Sequence, residues 1–350
     1  MASTLLEGAV VFCTGSATFL DEAWHWLSTL EPWGSLGLFV LSSLFMVCRL
    51  NAMEQKGLEG TVLGTLVMPY ASGLPNLAFA FSLGRQGGTG SILIENCLVN
   101  NVTNLTLLMG LPALIWTLGV GPSKPSRSAA KASIRNRRLN TLSLSLSLMA
   151  LFFFTGALWA LGKDNSLDFG DGLVLVGIFG LWQVYHLFDV LKYNIHKRRT
   201  LPRTLFIDAL LVVLLGAGVV NGIDRLVAWI AALGPGVFLY DQLGFISGCL
   251  MVLPNGLLAF YYARAGRGDI VYSSQVADGH VCIPLCIGLF ALFSAVHVPP
   301  GMNTGVLILL GIALLHFIFL VFAGRLPRPI GALLVLVYGF FLADFFPVSG

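Results

Sequence analysis

The sequence predicts an all-α integral membrane protein with ten transmembrane helices arranged as two inverted five-helix repeats. The first observation is composition: apolar residues make up 56% of the chain and charged residues 11%, whereas about a quarter of the residues in an ordinary soluble protein are charged. The second is a segment of the first half that recurs in the second half. The third is a concentration of basic residues in alternate loops, which indicates how the chain crosses the membrane.

Apolar stretches recur along the whole chain, and a helix needs about 20 such residues to cross the bilayer core. Backbone groups in lipid must be satisfied within the element itself, so the spans are expected to be helices. Several stretches are longer than one crossing requires, which is typical of tilted or broken helices. The ten predicted spans are 34–49, 58–84, 91–121, 139–161, 170–191, 204–232, 237–263, 270–297, 302–323 and 329–347.

The first 33 residues precede these spans and are expected to form an extracytoplasmic or interfacial N-terminal segment, 1–33. Residues 5–20 are apolar, but the stretch is short and no basic region precedes it. A secretory signal is therefore not predicted. An eleventh span over residues 5–20 stays open as an alternative.

Basic residues orient the helices. Residues 122–138, between spans three and four, contain six lysines and arginines, and residues 192–203, between spans five and six, contain five. Because positive charge favours the cytoplasmic side, both termini are predicted to be extracytoplasmic, in a bacterial inner membrane or another cellular membrane. Residues 192–203 then form a basic cytoplasmic linker between a first repeat, 34–191, and a second repeat, 204–350.

The recurring segment covers residues 74–87 and returns at 253–266, a shift of 179 positions, with seven identities in fourteen positions and no gap. The identical pairs are Leu74 and Leu253, Pro75 and Pro254, Asn76 and Asn255, Ala80 and Ala259, Phe81 and Phe260, Arg85 and Arg264, and Gly87 and Gly266. With the predicted topology the two copies cross the membrane in opposite directions. Two such halves are related by a pseudo-two-fold axis in the membrane plane.

Each copy of the segment contains a proline within an apolar span. Proline lacks an N–H and obstructs the carbonyl four residues earlier, so Pro75 and Pro254 are expected to kink or break their helices. An ordinary proline kink is the alternative for either site alone. Proline-interrupted spans at corresponding positions of two inverted halves indicate a transporter binding site near the bilayer midplane.

The residues around these prolines resemble the signatures of the cation/calcium exchanger superfamily. That superfamily carries G-T-S-x-P-E in the second span of each half and G-N-x-x-G-S-N-x-x-N in the third. Residues 71–76 (ASGLPN) and 95–104 (ENCLVNNVTN) occupy the corresponding positions here, and 250–255 and 274–283 are their counterparts in the second half. The resemblance implies ten spans in two inverted halves and a secondary active cation antiporter of the sodium/calcium exchanger type, working by alternating access.

The chain departs from the superfamily at its central ion ligands. The resemblance places a glutamate after each motif proline, but Asn76 and Asn255 stand there. An asparagine oxygen can coordinate a cation but brings no charge, and calcium sites depend on carboxylates for their affinity. The transported cations are therefore left open between Ca²⁺, Na⁺ and H⁺, and no cofactor is expected.

Negative charge in the predicted site can come from Glu95 in span three and Asp278 in span eight. Carboxylates within membrane spans are costly to bury and are candidate functional groups. The shift of 179 maps Asp278 onto position 99, one helical turn from Glu95. The alternative for each is a helix-end charge in a headgroup region or cavity, or a structural partner for His280 or an asparagine. Asn104 and His280, on the same two spans, are weaker candidates for the metal site.

Two other functions compete with transport. The loss of both glutamates is also compatible with an exchanger fold that acts as a scaffold or regulator. Asp241 in a Tyr-Asp pair and Asp269 in a Gly-x-Gly-Asp motif are similar to the aspartates of intramembrane aspartyl proteases, which share a proton to activate water. These two aspartates are expected at opposite membrane surfaces, so the chain is predicted not to be an enzyme. Its expected partners are inorganic cations and the lipid bilayer, without nucleic acid.

Overall fold

A computed structural model of the chain describes residues 31–55, 68–120, 130–194 and 204–345, which are mostly helical. In the first half, two short strands separate longer helices. The elements are α1 (Trp33–Gln55), α2 (Met68–Arg85), α3 (Gly90–Leu105), α4 (Leu107–Trp116), β1 (Leu118–Gly119), α5 (Ala130–Leu161), β2 (Ser166–Leu167) and α6 (Phe169–Asn194), with a 3₁₀ turn at Gly162–Asp164.

The second half repeats this order with more interruptions. Its elements are α7 (Thr204–Leu233), α8 (Phe238–Asp241), α9 (Leu243–Met251), α10 (Leu253–Arg264), α11 (Gly268–Val281), a π-helical turn (Cys282–Ile287), α12 (Gly288–Phe293), β3 (Val296–His297), α13 (Met302–Ala323), β4 (Arg325–Leu326) and α14 (Arg328–Phe345). Most of the predicted spans agree with these helices to within about five residues where the structure describes them, but α5 begins nine residues before the fourth predicted span and α1 ends six residues after the first.

Eight helical stretches in the described part of the chain are long and apolar enough to cross a membrane. The helices α2 and α14, which correspond to the second and tenth predicted spans, are not among the eight. The count of ten spans therefore stays a prediction. The N-terminal segment up to residue 30, the alternative span at 5–20 and most of the two basic segments lie outside the described residues, as does 346–350.

The repeated segment ends in the same turn in both halves. Gly87 and Gly266 both have φ of +72°, a left-handed conformation that glycine adopts without steric cost. In one turn the Gly88 N–H donates to Leu83 O at 2.9 Å, and in the other the Arg267 N–H donates to Tyr262 O at 2.9 Å. This is the Schellman helix ending, and its recurrence supports the prediction that the two segments are copies of one unit.

After this turn the two copies differ by one residue. Four residues, 86–89, separate α2 from α3, whereas three residues, 265–267, separate α10 from α11. The shift between the halves is therefore 178, and not 179, along the following helices. The predicted correspondence of Asp278 with position 99 is wrong: Asp278 corresponds to Asn100, because the second turn is one residue shorter.

The two halves interlock through contacts that join an element of one half to an element of the other. The strand β1 pairs with β4, and β2 pairs with β3, so each two-stranded sheet joins one strand from either half. Helix α1 packs on α7, and both are the first described helix of their half. In the same way α2 packs on α11 and α3 on α9. The helices that carry the predicted site residues therefore meet at the contact between the halves.

Candidate cation site

The two prolines of the repeat affect their helices differently. Pro254 lies at the start of α10, directly after an interruption at Val252 that separates α9 from α10. The break predicted for the second half is therefore confirmed. Pro75 lies inside α2, which continues from Met68 to Arg85. Both asparagines that follow these prolines are buried, with 0% of Asn76 and 4% of Asn255 exposed.

The Asp278 carboxylate is the centre of a buried polar cluster. Asn104 Nδ2 donates to its Oδ2 at 2.8 Å, Asn255 Nδ2 donates to the same oxygen at 3.1 Å, and Asn76 Nδ2 donates to Oδ1 at 3.4 Å. Asn100 Nδ2 in turn donates to Asn76 Oδ1 at 3.2 Å. Four of the predicted site residues (Asn76, Asn104, Asn255 and Asp278) thus meet around one carboxylate.

Asn100 is a member of the cluster that was not among the predicted metal ligands. Asn76 bonds with the residue 24 positions further on, Asn100, and Asn255 bonds with the residue 23 positions further on, Asp278. The two pairs occupy equivalent positions after the two copies of the repeated segment once the shorter second turn is counted. The signal in the sequence was therefore a polar side chain 23 to 24 residues after each motif asparagine.

The cluster is closed to solvent and contains one ionisable group, the Asp278 carboxylate. Asp278, Asn100 and Asn104 are fully buried, and no lysine, arginine or histidine forms an ion pair with Asp278 in the described part of the chain. Amide donors stabilise a carboxylate but do not neutralise it, and an unpaired buried charge is expensive. The carboxylate therefore requires a bound cation or a proton.

One atom of the cluster is an unused acceptor. Asn104 donates through Nδ2 to both Asn100 Oδ1, at 2.9 Å, and Asp278, while its own Oδ1 is buried without a hydrogen-bond partner. Buried polar atoms are nearly always hydrogen-bonded, so an exception calls for an explanation. An oxygen beside a carboxylate, with no donor to satisfy it, is suited to coordinate a cation.

Glu95 is not brought into this cluster. It lies on α3 in a partly buried position and packs against Gly244 of α9, where a Cβ added to the glycine would overlap Glu95 Oε2. Its side chain forms no hydrogen bond or ion pair within the described residues. The two candidate carboxylates therefore occupy separate environments.

His280 also lies away from the cluster. Its Nε2 is 2.8 Å from Ser147 O, and its ring packs edge-on against Phe154 and Trp182. Residues 278 and 280 are two positions apart, so their side chains leave α11 on different faces. His280 contributes to packing between α11 and its neighbours.

The two aspartates of the alternative protease reading do not meet. Asp241 accepts a hydrogen bond from the Gly236 N–H at 3.2 Å, and Asp269 is paired with Arg267 at 3.1 Å. Helices α9 and α10 lie between them, and 22 helical residues rise about 33 Å. Within the described residues there is also no group of three or more histidines, cysteines, aspartates or glutamates that could hold a metal ion.

Comparisons with known proteins agree on one family. Residues 33–188 match the family described as sodium/calcium exchanger protein. Over 82 residues the chain is 37% identical to the sodium/calcium exchanger MaX1 of Methanosarcina acetivorans, and this match covers 23% of the chain and 21% of that relative. The chain thus matches about a fifth of the relative's length.

Solved structures match almost the whole chain. A structure of the sodium-calcium exchanger NCX_Mj soaked with Na⁺ and Sr²⁺ has a TM-score of 0.64 and 19% identity, covering 89% of this chain and 96% of that one. A structure of NCX_Mj soaked without Na⁺ and Ca²⁺ has a TM-score of 0.60 and 18% identity, with coverage of 89% and 97%.

These matches agree with the motif resemblance, with the apolar helices and with the turn repeated in both halves. Sodium/calcium exchangers are transporters and not enzymes, which agrees with the class of protein predicted from the sequence. The chain is a multi-pass membrane protein whose residues 33–188 match the sodium/calcium exchanger family and whose fold is similar to that of NCX_Mj.

Proposed function

We propose that the protein is a secondary active cation antiporter that binds its ions at a central site built around Asp278. The observation that carries this proposal is the fully buried carboxylate, which is held by amides from both halves of the chain. A structural aspartate in such a place would be expected to pair with a basic side chain. A carboxylate surrounded by neutral oxygens and amides is instead suited to bind a cation reversibly.

The position of the cluster supports alternating access. Asn76 and Asn100 belong to the first half and Asn255 and Asp278 to the second, so the site lies where the inverted halves meet. In a ten-helix inverted repeat this contact is near the bilayer midplane. Movement of one half relative to the other would open the site to one side of the membrane and then to the other.

The charge of the cluster bears on which cations bind. Asn76 and Asn255 stand in place of glutamates and are neutral. The cluster therefore has one formal negative charge, on ionised Asp278, and this charge compensates one Na⁺ or one proton. A Ca²⁺ ion would keep an uncompensated positive charge in a dry site, and such a charge is expensive. We therefore propose that Na⁺ and H⁺ compete for Asp278, and that Ca²⁺ binds more weakly there than in relatives with both glutamates.

Countertransport in proteoliposomes tests this function. We expect uptake of a labelled cation only when a second cation, or a proton gradient, is present on the opposite side of the membrane. The panel should pair Na⁺ with H⁺, K⁺, Ca²⁺ and Mg²⁺ in turn. Absence of coupled flux for every pair, in protein that is folded by circular dichroism, would favour the scaffold or regulator instead.

A further inference from the structure

Glu95 is a carboxylate that the central site does not use. It is partly buried on α3, and its Oε2 packs against the backbone of Gly244 on α9. Within the described residues it forms neither an ion pair nor a hydrogen bond. Neither carboxylate oxygen is among the fully buried atoms without a partner, so a carboxylate with no protein donor stays accessible here and is free to bind a cation.

The neighbouring side chains supply neutral oxygens. Asn96 is fully buried and its Nδ2 donates to Ser247 Oγ at 2.8 Å, while Ser247 Oγ donates to Gly244 O at 3.0 Å. The remaining oxygen of Asn96, Oδ1, is buried without a hydrogen-bond partner. An unused amide oxygen therefore lies next in sequence to the carboxylate that lacks a donor.

Two glycines create this arrangement. Gly244 and Gly248 are four residues apart on one face of α9. A Cβ at Gly248 would lie 2.8 Å from Asn96 O and from Val99 Cβ. The absence of side chains lets the backbones of α3 and α9 approach closely, as small residues do between membrane helices. The close approach brings Glu95, Asn96 and Ser247 together at this contact.

This group is continuous with the central site. Asn96, Asn100 and Asn104 are spaced four residues apart and lie on one face of α3, each about 6 Å from the next along the helix axis. Asn100 and Asn104 belong to the Asp278 cluster. Of these three asparagines, Asn96 is the nearest to Gly90, the first residue of α3. Helix α9 begins on the same side of the molecule as α3.

We propose that Glu95, Asn96 and Ser247 form a second cation site, separate from the Asp278 cluster, which receives Na⁺ on its way to the centre. One carboxylate with neutral amide and hydroxyl oxygens matches the charge of a monovalent hard cation. The distribution of basic residues predicts that this end of α3 faces the extracytoplasmic side. The proposal goes beyond the proposed function, because binding at this site does not depend on antiport.

Na⁺-dependent thermal stabilisation of purified protein tests the second site. A ligand that binds only the folded state stabilises it by RT ln(1 + [L]/Kd), so Tm rises once the ligand concentration exceeds Kd. In the D278N variant we expect Tm to rise with NaCl according to this relation, measured against choline chloride at the same ionic strength. The double variant E95Q/D278N should lose this rise. D344N/D278N, which removes an exposed carboxylate on α14, is the matched control and should keep it.

Three results would overturn the proposal. The first is the absence of any Na⁺-dependent rise of Tm in D278N, and the second is an unchanged rise of Tm in E95Q/D278N. The third is a Tm of D278N that depends on pH but not on Na⁺, which would indicate a proton site. These experiments measure binding and are therefore independent of the flux assay. If D278N keeps its Na⁺-dependent rise of Tm but the wild-type protein shows no countertransport, the proposed antiport is refuted and the second site is not.

Substitutions of the neutral groups give an independent measure. S247A/D278N removes one hydroxyl ligand and should raise the apparent Kd for Na⁺, obtained from the dependence of Tm on NaCl, about tenfold. G244A/D278N places a methyl group where Glu95 Oε2 lies and should displace the carboxylate, with a similar or larger effect. The exposed Ser273, which hydrogen-bonds Ile270 O, offers a matched control in S273A/D278N. An unchanged apparent Kd in both S247A/D278N and G244A/D278N would contradict the proposed ligands.

Discussion

At the scale of the residue, the chain exchanges two expected carboxylates for amides and keeps one carboxylate among them. Asn76 and Asn255 both donate to Asp278, which a glutamate in either position could not do in its charged form. The amides therefore hold Asp278 in place, in addition to presenting oxygens. This arrangement gives a site with less charge than the motif of the superfamily implies.

Restoring charge should change the ion preference. We expect N76E to raise the affinity for Ca²⁺ at least tenfold, about 1.4 kcal/mol, because a second carboxylate would compensate the divalent charge. The matched control is N76Q, which has the size of glutamate and no charge. Ca²⁺-dependent thermal stabilisation measures both variants. An equal Ca²⁺ response in N76E and N76Q would show that charge at position 76 does not limit calcium binding.

His280 should contribute to stability and not to ion binding. H280A removes the contact with Ser147 O and the edge-on packing with Phe154 and Trp182, which is expected to cost on the order of 1–3 kcal/mol. Thermal unfolding in detergent measures this loss, and the NaCl dependence of Tm measures binding. A reduced Na⁺ response with unchanged stability would place His280 in the ion site after all.

At the scale of the element, the sequence predicted the helices better than their interruptions. Composition and apolar length locate the spans, because a membrane helix must be apolar over its whole length. The break between α3 and α4 near Thr106 and the π-helical turn after α11 were not predicted, because apolar segments on either side give no change of pattern. The one-residue difference between the repeated turns was also missed, which is why Asp278 was matched to the wrong position.

Gly222 on α7 lies at a close contact with the backbone of α1. A Cβ at Gly222 would lie 2.8 Å from Phe39 N and 2.9 Å from Ser35 O, both of which are backbone atoms that cannot move away without shifting the helix. We expect G222A to lower the free energy of unfolding by about 1–3 kcal/mol. On the same helix, G216A adds a methyl 3.5 Å from Leu74 Cδ2, which is ordinary contact, and should be nearly neutral. Similar thermal unfolding of the two variants would contradict this account of the packing.

At the scale of the whole molecule, the distribution of basic residues predicts the orientation of the loops. Single cysteines introduced at positions 127 and 198 of an otherwise cysteine-free variant should be protected from a membrane-impermeant maleimide in intact cells, because basic segments favour the cytoplasmic side. A cysteine at the exposed Asp168, between α5 and α6, should react. The opposite pattern would reverse the orientation of the protein and of the proposed Glu95 site.

The central claim is that a single buried carboxylate, Asp278, carries the exchanged cation. Coupled Na⁺ flux into proteoliposomes containing D278N, beside wild-type protein and the D344N control, tests it most directly. We expect D278N to fold and to lose at least 99% of the coupled flux, about 2.7 kcal/mol or more in transport free energy, while D344N retains the wild-type rate. Wild-type flux in D278N would contradict the account, and the exchanged ion would then have to be bound by amide and backbone oxygens alone.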